Sequence, residues 1–433
     1  MKAYSEYKPS GIDWLGEIPS HWDVISGKWA VNFTYGFPAD SKLFSIEKKG
    51  LPLIRIRDIY STDTEVYYEG NDYPAESIII NGDLLIGMDG DFNVARWNGA
   101  KAILNQRVCK FEDSKVLSKN YMFYILPLIL NKINAIKYAT TVKHLSATDL
   151  SEMKLTVPPI EEQEVIAAYL DDETGKVDAL IAEKQKQVED LRAYRASLIT
   201  ETVTRGLNPE APLRPSGIDC FGDIPKHWNV VKLKYALSEI KDGTHFSPDT
   251  CEEGYSYVTA TDVRGIGIDY ASTKKVNESN FLKLRQTGCE IFKNDVLLVK
   301  DGATTGRVGY KNDEVLAVTL SSVAILRVKK CDSAKYLMYL LESKTIQSQI
   351  SDAMAGAAMP RITLEKLGNF IGIVPPISEQ QAIAEFLDKK TEKIDALIDK
   401  LNKQLDELAE YKKAVISEAV TGKVDVRDWT PKS

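Results

Sequence analysis

The sequence is short of several things that mark common protein classes. No apolar run approaches the ~18 residues that would suggest a bilayer-spanning helix, so no membrane span is expected. The stretch MKAYSEYKPSGIDWLGEIP has no apolar centre and is not expected to act as a secretory signal. Cysteine is scarce: Cys109, Cys220, Cys251, Cys289 and Cys331 are scattered, odd in number and form no CxxC pair. This excludes a disulfide framework or zinc ribbon and fits reduced thiols in a cytoplasmic protein. The four histidines do not cluster, so no metal site is expected. Excess positive charge is also missing. A net charge of −7 argues against nucleic-acid binding by bulk electrostatics alone.

Catalytic signatures are equally sparse. Gly302-Ala303-Thr304-Thr305-Gly306-Arg307 lacks the Lys-Ser/Thr of a phosphate-binding loop and reads as a turn after a strand. Both Pro-Pro pairs follow valine, so the Asn/Asp-Pro-Pro-aromatic motif of amino-methyltransferases is absent. Asp40, Glu47 and Lys49 imitate a nuclease D…ExK set, but their spacing is short and Glu47-Lys48-Lys49-Gly50 reads as a turn. No catalytic residue is assigned.

What the chain does contain is a repeat. Pro9-Ser10-Gly11-Ile12-Asp13, continuing WLGEIPSHWDV, recurs from Pro215 as PSGIDCFGDIPKHWNV, an offset of 206. PPIEEQEVIAAYLDDETGKVDALI from Pro158 recurs as PPISEQQAIAEFLDKKTEKIDALI from Pro375, an offset of 217. Between them GDLLIGMDG from Gly82 resembles NDVLLVKDG from Asn294, an offset of 212. The offsets grow along the chain, as small surface insertions in the second copy would cause. The plan is globule, helix, globule, helix, with framework positions matching better than the rest of the globules. One scaffold carrying two different recognition surfaces is the reading this favours.

The globules, about 23–157 and 230–374, show short β-rich runs such as LPLIRIRDIY and YSYVTATDV between Gly, Asn and Asp, with a helix near each end. The class is α+β with a curled mixed or antiparallel sheet. After each Pro-Pro the pattern turns helical. Ser378 with Gln381 offers an N-cap to the second helix, and Gly175 suggests a break in the first. Apolar residues then recur in 4-3 steps: Val177, Ile181, Val188, Leu191 and Leu198, and Ile394, Ile398, Leu401, Leu405, Leu408 and Val415. Lys184, Arg195 and Lys412 interrupt the series. A 3.5-residue seam this thin needs a partner helix, and the other copy is the obvious one. Each helical segment of about 44 residues would be roughly 65 Å long. Antiparallel pairing would place one globule towards each end, and the 25-residue heptad part, near 38 Å, approaches one turn of duplex DNA, about 34 Å. The expected layout is 1–157 globule, 158–205 helical region, 206–214 linker, 215–374 globule, 375–422 helical region and 423–433 tail. The tail leaves the second helix as the linker leaves the first, so the termini are expected to lie close together.

The repeated PSGI(D)–GxIPxHW and Pro-Pro-Ile-x-Glu-Gln segments, LD…K(V/I)DALI and the GD(L/V)L strand resemble the specificity subunit of type I restriction-modification systems, over essentially the whole chain. The resemblance implies that each globule is a target recognition domain reading half of a split double-stranded DNA sequence. It implies that the helices form an antiparallel coiled coil that sets the spacing and docks two modification (methyltransferase) subunits, with restriction subunits joining as translocase and nuclease. S-adenosylmethionine, ATP and magnesium would then sit on the partners, with no cofactor in this chain. Base readout needs only a few placed side chains, so partners could supply much of the phosphate neutralisation.

Side chains able to reach bases or phosphates from strand ends and loops are the candidate contacts. In the first globule they are Arg55, Arg57, Asn93, Arg96, Gln106, Arg107, Lys143 and His144. In the second they are His245, Arg264, Thr304, Thr305, Arg307, Met359 and Arg361. Segments 140–145 and 357–362 align at the 217 offset, each before an N-cap, Ser146 or Thr363. Two other classes stay in view: a coiled-coil adaptor without a DNA role, and a stand-alone nuclease using Asp40, Glu47 and Lys49.

Overall fold

The computed structural model describes residues 2–112, 114–137, 144–330, 332–354 and 361–431. Each long helix starts where two prolines stop a strand. Lys154–Val157 and Ile371–Val374 pair antiparallel with Asp23–Ser26 and Asn229–Lys232, respectively. The prolines that follow have no N–H to give a ladder and their fixed φ suits a first helical turn. The helices then run Ile160–Arg205 and Ile377–Val420.

Two sequence expectations fail here. Ser378 lies inside the helix instead of capping it, because the Pro376 carbonyl already accepts from Glu379 and Gln380 at 2.9 and 3.0 Å. Gly175 does not divide the first helix, which runs through it. One glycine costs a helix only about 1 kcal/mol relative to alanine. Beside it Thr174 and Val177 are buried, and Lys176 joins Asp172 and Glu173 along the helix surface, which offsets that loss.

The chain divides into two compact units, Met1–Lys184 with Lys403–Ser433, and Gln185–Asn402. Each holds one globule and part of each long helix. In the first unit Lys412 meets Asp178 at 2.6 Å and Lys184 donates to Gln404 at 2.8 Å. Val177 is buried there, and Ile181, Leu405, Leu408 and Val415 are half-buried. In the second unit Arg195 meets Asp395 at 3.0 Å, and Val188, Ile394 and Ile398 are buried together with Leu191, Leu198 and Leu401 packed against them. Rising numbers on one helix meet falling numbers on the other, so the pairing is antiparallel. The three residues that interrupt the apolar series are the ones that make polar links across it.

Both globules are α+β and share one sheet plan. In the first, Val94–Arg96, Leu84–Gly87, Val108–Phe111 and Phe33–Tyr35 form an antiparallel sheet in that order. In the second, Val308–Tyr310, Val296–Val299, Val323–Val328 and Leu237–Asp242 repeat it, with Gly265–Ile266 added in parallel. A second, mixed sheet in each globule is built around one parallel pair, Leu51–Ile54 with Ala102–Leu104, and Tyr255–Val258 with Ala317–Thr319. The repeated GD(L/V)L segment turns into its strand the same way twice. Asp83 accepts from the Ile80 N–H at 2.9 Å and Asp295 from that of Phe292 at 2.8 Å. Before them Gly82 has φ +91° and Asn294 φ +71°, a left-handed position that glycine and asparagine tolerate best.

One large core cluster in each unit joins the sheet to the helices. In the first unit Trp22, Phe111 and Tyr121 pack with Ile166 and Val420. In the second Trp228, Tyr336 and Tyr339 pack with Val203 and Ile383. Each fully buried large apolar side chain contributes about 1.5–3 kcal/mol. Tyr121 donates to the Val420 carbonyl and Tyr336 to that of Val203, so each globule is seated on the end of one helix and the start of the other. Gly206 and Gly422, at φ +77° and +72°, end the helices against Trp228 and Trp22. The Asp425 N–H donates to the Lys2 carbonyl at 2.8 Å, which brings the two ends of the chain together as expected.

Candidate nucleic-acid interface

The HW motif and the Pro-Pro-Ile-x-Glu-Gln motif prove to be two halves of one clamp. Glu162 in the first turn of the first long helix accepts from Trp22 Nε1 at 2.9 Å and Tyr4 Oη at 2.6 Å, and lies 2.8 Å from His21 Nε2. Glu379 accepts from Trp228 Nε1 at 3.0 Å and lies 2.6 Å from His227. Gln163 and Gln380 complete it, accepting from the Ser118 and Ser333 N–H groups, each at 2.9 Å. Charge-assisted bonds of this kind fix an angle as well as contributing energy. Both motifs repeat in the sequence, and that joint repetition is the signal that could have linked them.

Held by these clamps, each globule presents the same backbone slot with different side chains. In the first globule the Met88 N–H donates to the Arg107 carbonyl and the Leu145 N–H to that of Met88, at 2.9 and 2.7 Å. In the second the Lys300 N–H donates to Ser322 and the Ile362 N–H to Lys300, both at 2.8 Å. Bridges Asp89–His144 and Asp301–Arg361 close the two slots. Around the first, His144 Nδ1 lies 2.7 Å from Asp89, and Arg107 lies 3.6 Å from Asp89 and 3.3 Å from His144. Around the second, buried Lys300 sits between Asp301 at 3.1 Å and Asp242 at 3.4 Å, with Arg361 3.3 Å from Asp301 and His245 3.6 Å from Asp242. Arg107 and His144 at the first slot, and Arg361 and His245 at the second, are within reach of solvent and can donate to base edges or phosphates, whereas Lys300 is held inside by Asp242 and Asp301.

Thus Arg107 and His144 touch directly, while His245 and Arg361 are linked only through Asp242, Lys300 and Asp301. Gln106 is exposed beside Arg107, and Ser146 and Thr363 cap the helices that follow, as expected. Lys143 and Met359 lie outside the described residues. Asn93 and Arg307 prove to be equivalent: their carbonyls accept from Gly87 and Val299, each at 2.8 Å. Thr304 is half-buried in the same turn as Arg307, while Thr305 donates to the Gly302 carbonyl at 2.6 Å. Arg57 is exposed on the short turn Ile56–Asp58, apart from the slot residues' own contacts. Two candidates are spent on the scaffold. Arg55 donates through Nε to Asp58 at 2.7 Å, and Arg96 donates to Asp171 on the first long helix at 2.7 Å with its guanidinium 4.2 Å from the Phe123 ring centre.

Sequence reasoning passed over Lys300 and Asp242, and it did not connect the candidates Arg264 and Arg307 with arginines of the first long helix. Arg264 and Arg307 line a cleft of about 700 Å³ together with Arg192 and Arg195 of the first long helix. Arg195 also bonds Glu342 at 3.0 Å. Burial works against the Arg195 charge, but Glu342 and Asp395 more than compensate. Burial pushes the Glu342 carboxyl up, with Arg195 pulling against it.

The nuclease-like set does not assemble. Asp40 accepts from the Lys42 N–H at 3.0 Å in a capping role, and Glu47 and Lys49 pair with each other on an exposed turn. Among the described residues no three metal-ligating side chains gather, and no helix is long and apolar enough to cross a membrane.

Comparison with known proteins identifies the family of the chain. The family model described as the type I restriction modification DNA specificity domain matches residues 38–190 and 225–407. The chain is 28% identical over 422 residues to the specificity subunit of the type I restriction enzyme EcoBI of Escherichia coli, covering 95% of this chain and 88% of that one. It is 28% identical over 361 residues to the MjaVIII specificity subunit of Methanocaldococcus jannaschii, covering 82% and 81%. A chain from a solved structure concerned with complex assembly and conformational transition of the type I R-M system shares the fold at TM-score 0.67 and 16% identity, over 94% of this chain and 99% of that one.

Proposed function

Because the chain belongs to the type I restriction-modification DNA specificity family and is a recognition subunit, not a catalyst, we propose that its two globules each read one half of a bipartite duplex target while the paired helices fix the gap between halves. The observation that carries this reading is the shared backbone slot furnished with Asp89, Arg107 and His144 in one copy and Asp242, Lys300, Asp301 and Arg361 in the other. A structural duplication has no need of different hydrogen-bonding groups at one equivalent position, whereas a split asymmetric site does. Arg57, Asn93 and Gln106 flank the first reading surface, and Thr304 and Thr305 the second.

The wider complex follows from the same reading. Two modification subunits dock on the helical regions, and restriction subunits join them. S-adenosylmethionine, ATP and magnesium belong to those partners, which work with this chain in the cytoplasm. The net charge of −7 fits an arrangement in which partners share the phosphate grip. Gel retardation of the reconstituted modification complex tests the reading. A two-part site should be retained, and inserting one base pair into its gap should abolish specific retention. Retention that ignores the gap would contradict the fixed spacing.

A further inference from the structure

The arginine cleft of the second unit carries the strongest unassigned chemistry. Four guanidinium groups, Arg192, Arg195, Arg264 and Arg307, line it with one carboxylate, Glu342, which is held by Arg195. Arg264 has a partner in Asp269 at 3.5 Å. Arg192 and Arg307 are exposed and have no carboxylate partner among the described residues. In a chain with 62 acidic and 55 basic residues, such a one-sided group is not an average surface. It also joins two elements: Arg192 comes from the long helix, Arg307 from the turn after the Val296–Val299 strand.

The equivalent place in the first unit is built differently. It is lined by Phe123, Pro127, Leu128 and Ile416, and both of its lysines are paired, Lys412 with Asp178 and Lys413 with Glu410. Arg195 and Lys412 are repeat-equivalent, so the difference lies in the added arginines and not in the framework.

We propose that this cleft binds the phosphodiester backbone of duplex DNA, with Arg192 extending the grip of the second globule onto the helix on that side alone. Guanidinium forks match phosphate oxygens, and the low-dielectric walls of a cleft concentrate their field. Such contacts position the duplex without reading bases. The proposal rests on the DNA-recognition reading above.

The test is the salt dependence of DNA binding by the reconstituted modification complex, comparing the unaltered protein with Arg192→Gln, Arg307→Gln and the double variant. Neither guanidinium has a carboxylate to strand, and circular dichroism and complex assembly before DNA is added confirm that each variant is intact. One lost phosphate contact removes about 0.9 from the slope of log affinity against log salt. Between 50 and 200 mM salt each single variant should therefore lose about 3.5-fold less affinity than wild type, and the double variant about 12-fold less. The preferred target sequence should not change. Wild-type retention with unchanged variant slopes overturns the assignment of the cleft alone. So does failure of a variant to assemble without DNA, which would mark the cleft as a seat for an acidic protein segment. If wild type itself retains no DNA, the recognition reading falls and this proposal with it.

Discussion

Lys412 on the second long helix donates to both carboxylate oxygens of Asp178 on the first, at 2.6 and 2.7 Å. The pair recurs with the helices exchanged, as Arg195 and Asp395, because both lie at the 217-residue repeat offset. The lysine and arginine that look like faults in the apolar seam are therefore its register marks. A purely apolar seam could slip by a heptad, whereas these pairs meet in one register.

The two pairs should differ in energy. Asp178 is exposed and Lys412 half-buried with no buried acid to strand, so Lys412→Ala should cost about 0.5 kcal/mol. Arg195 also holds buried Glu342, and Arg195→Ala should cost about 3 kcal/mol by leaving that carboxylate unpaired. Without Arg195, burial keeps the Glu342 carboxyl above its unfolded value, so folding takes up a proton and stability rises as pH falls. Thermal melts should show the Arg195→Ala deficit shrinking from pH 8 to pH 5. A deficit independent of pH would contradict this.

The clamp predicts an asymmetry between copies. Glu162→Ala strands Trp22 and Tyr4, both buried, and should cost about 3 kcal/mol in chemical denaturation. Glu379 is more exposed, so Glu379→Ala should cost about 1 kcal/mol. Glu162→Gln keeps an acceptor and should recover part of the loss.

The two helix-ending glycines separate in the same way. A Cβ on Gly422 would lie 2.2 Å from Pro19 Cδ, and one on Gly206 3.0 Å from the Trp228 ring. Both also need a left-handed φ. Gly422→Ala should cost about 3 kcal/mol and Gly206→Ala about 1 kcal/mol, read as melting-temperature shifts.

Thiol labelling checks the core. Burial pushes the Cys109 thiol up to about 12, and Cys289 is also buried, while Cys220 and Cys251 are exposed. Iodoacetamide at pH 8 should modify Cys220 and Cys251 in the native protein, and Cys109 and Cys289 only after unfolding.

The repeat, the α+β class, the helical seam and the meeting of the termini were legible because they depend on periodicity and duplication. The misreadings were local. Gly175 and Ser378 carry the propensities of a break and a cap, but packing around Val177 and the Pro376 carbonyl decide otherwise. The clamp was half visible: His21, Trp22 and their equivalents stood out, but their carboxylates lie 140 residues or more along the chain. The slots were hardest to see, since Lys300 and Asp242 meet only through the sheet and nothing local marks either one. Arg55 and Arg96 show the converse, cations in promising places that neighbouring acids already hold.

Methylation-sensitive sequencing of DNA from cells carrying the whole system, with this chain or with residues 215–374 exchanged for another second globule, tests the division of labour most directly. A split motif whose one half changes while the other half and the gap persist is the expected result. A change in both halves, or in neither, would contradict the assignment of one half-site to each globule.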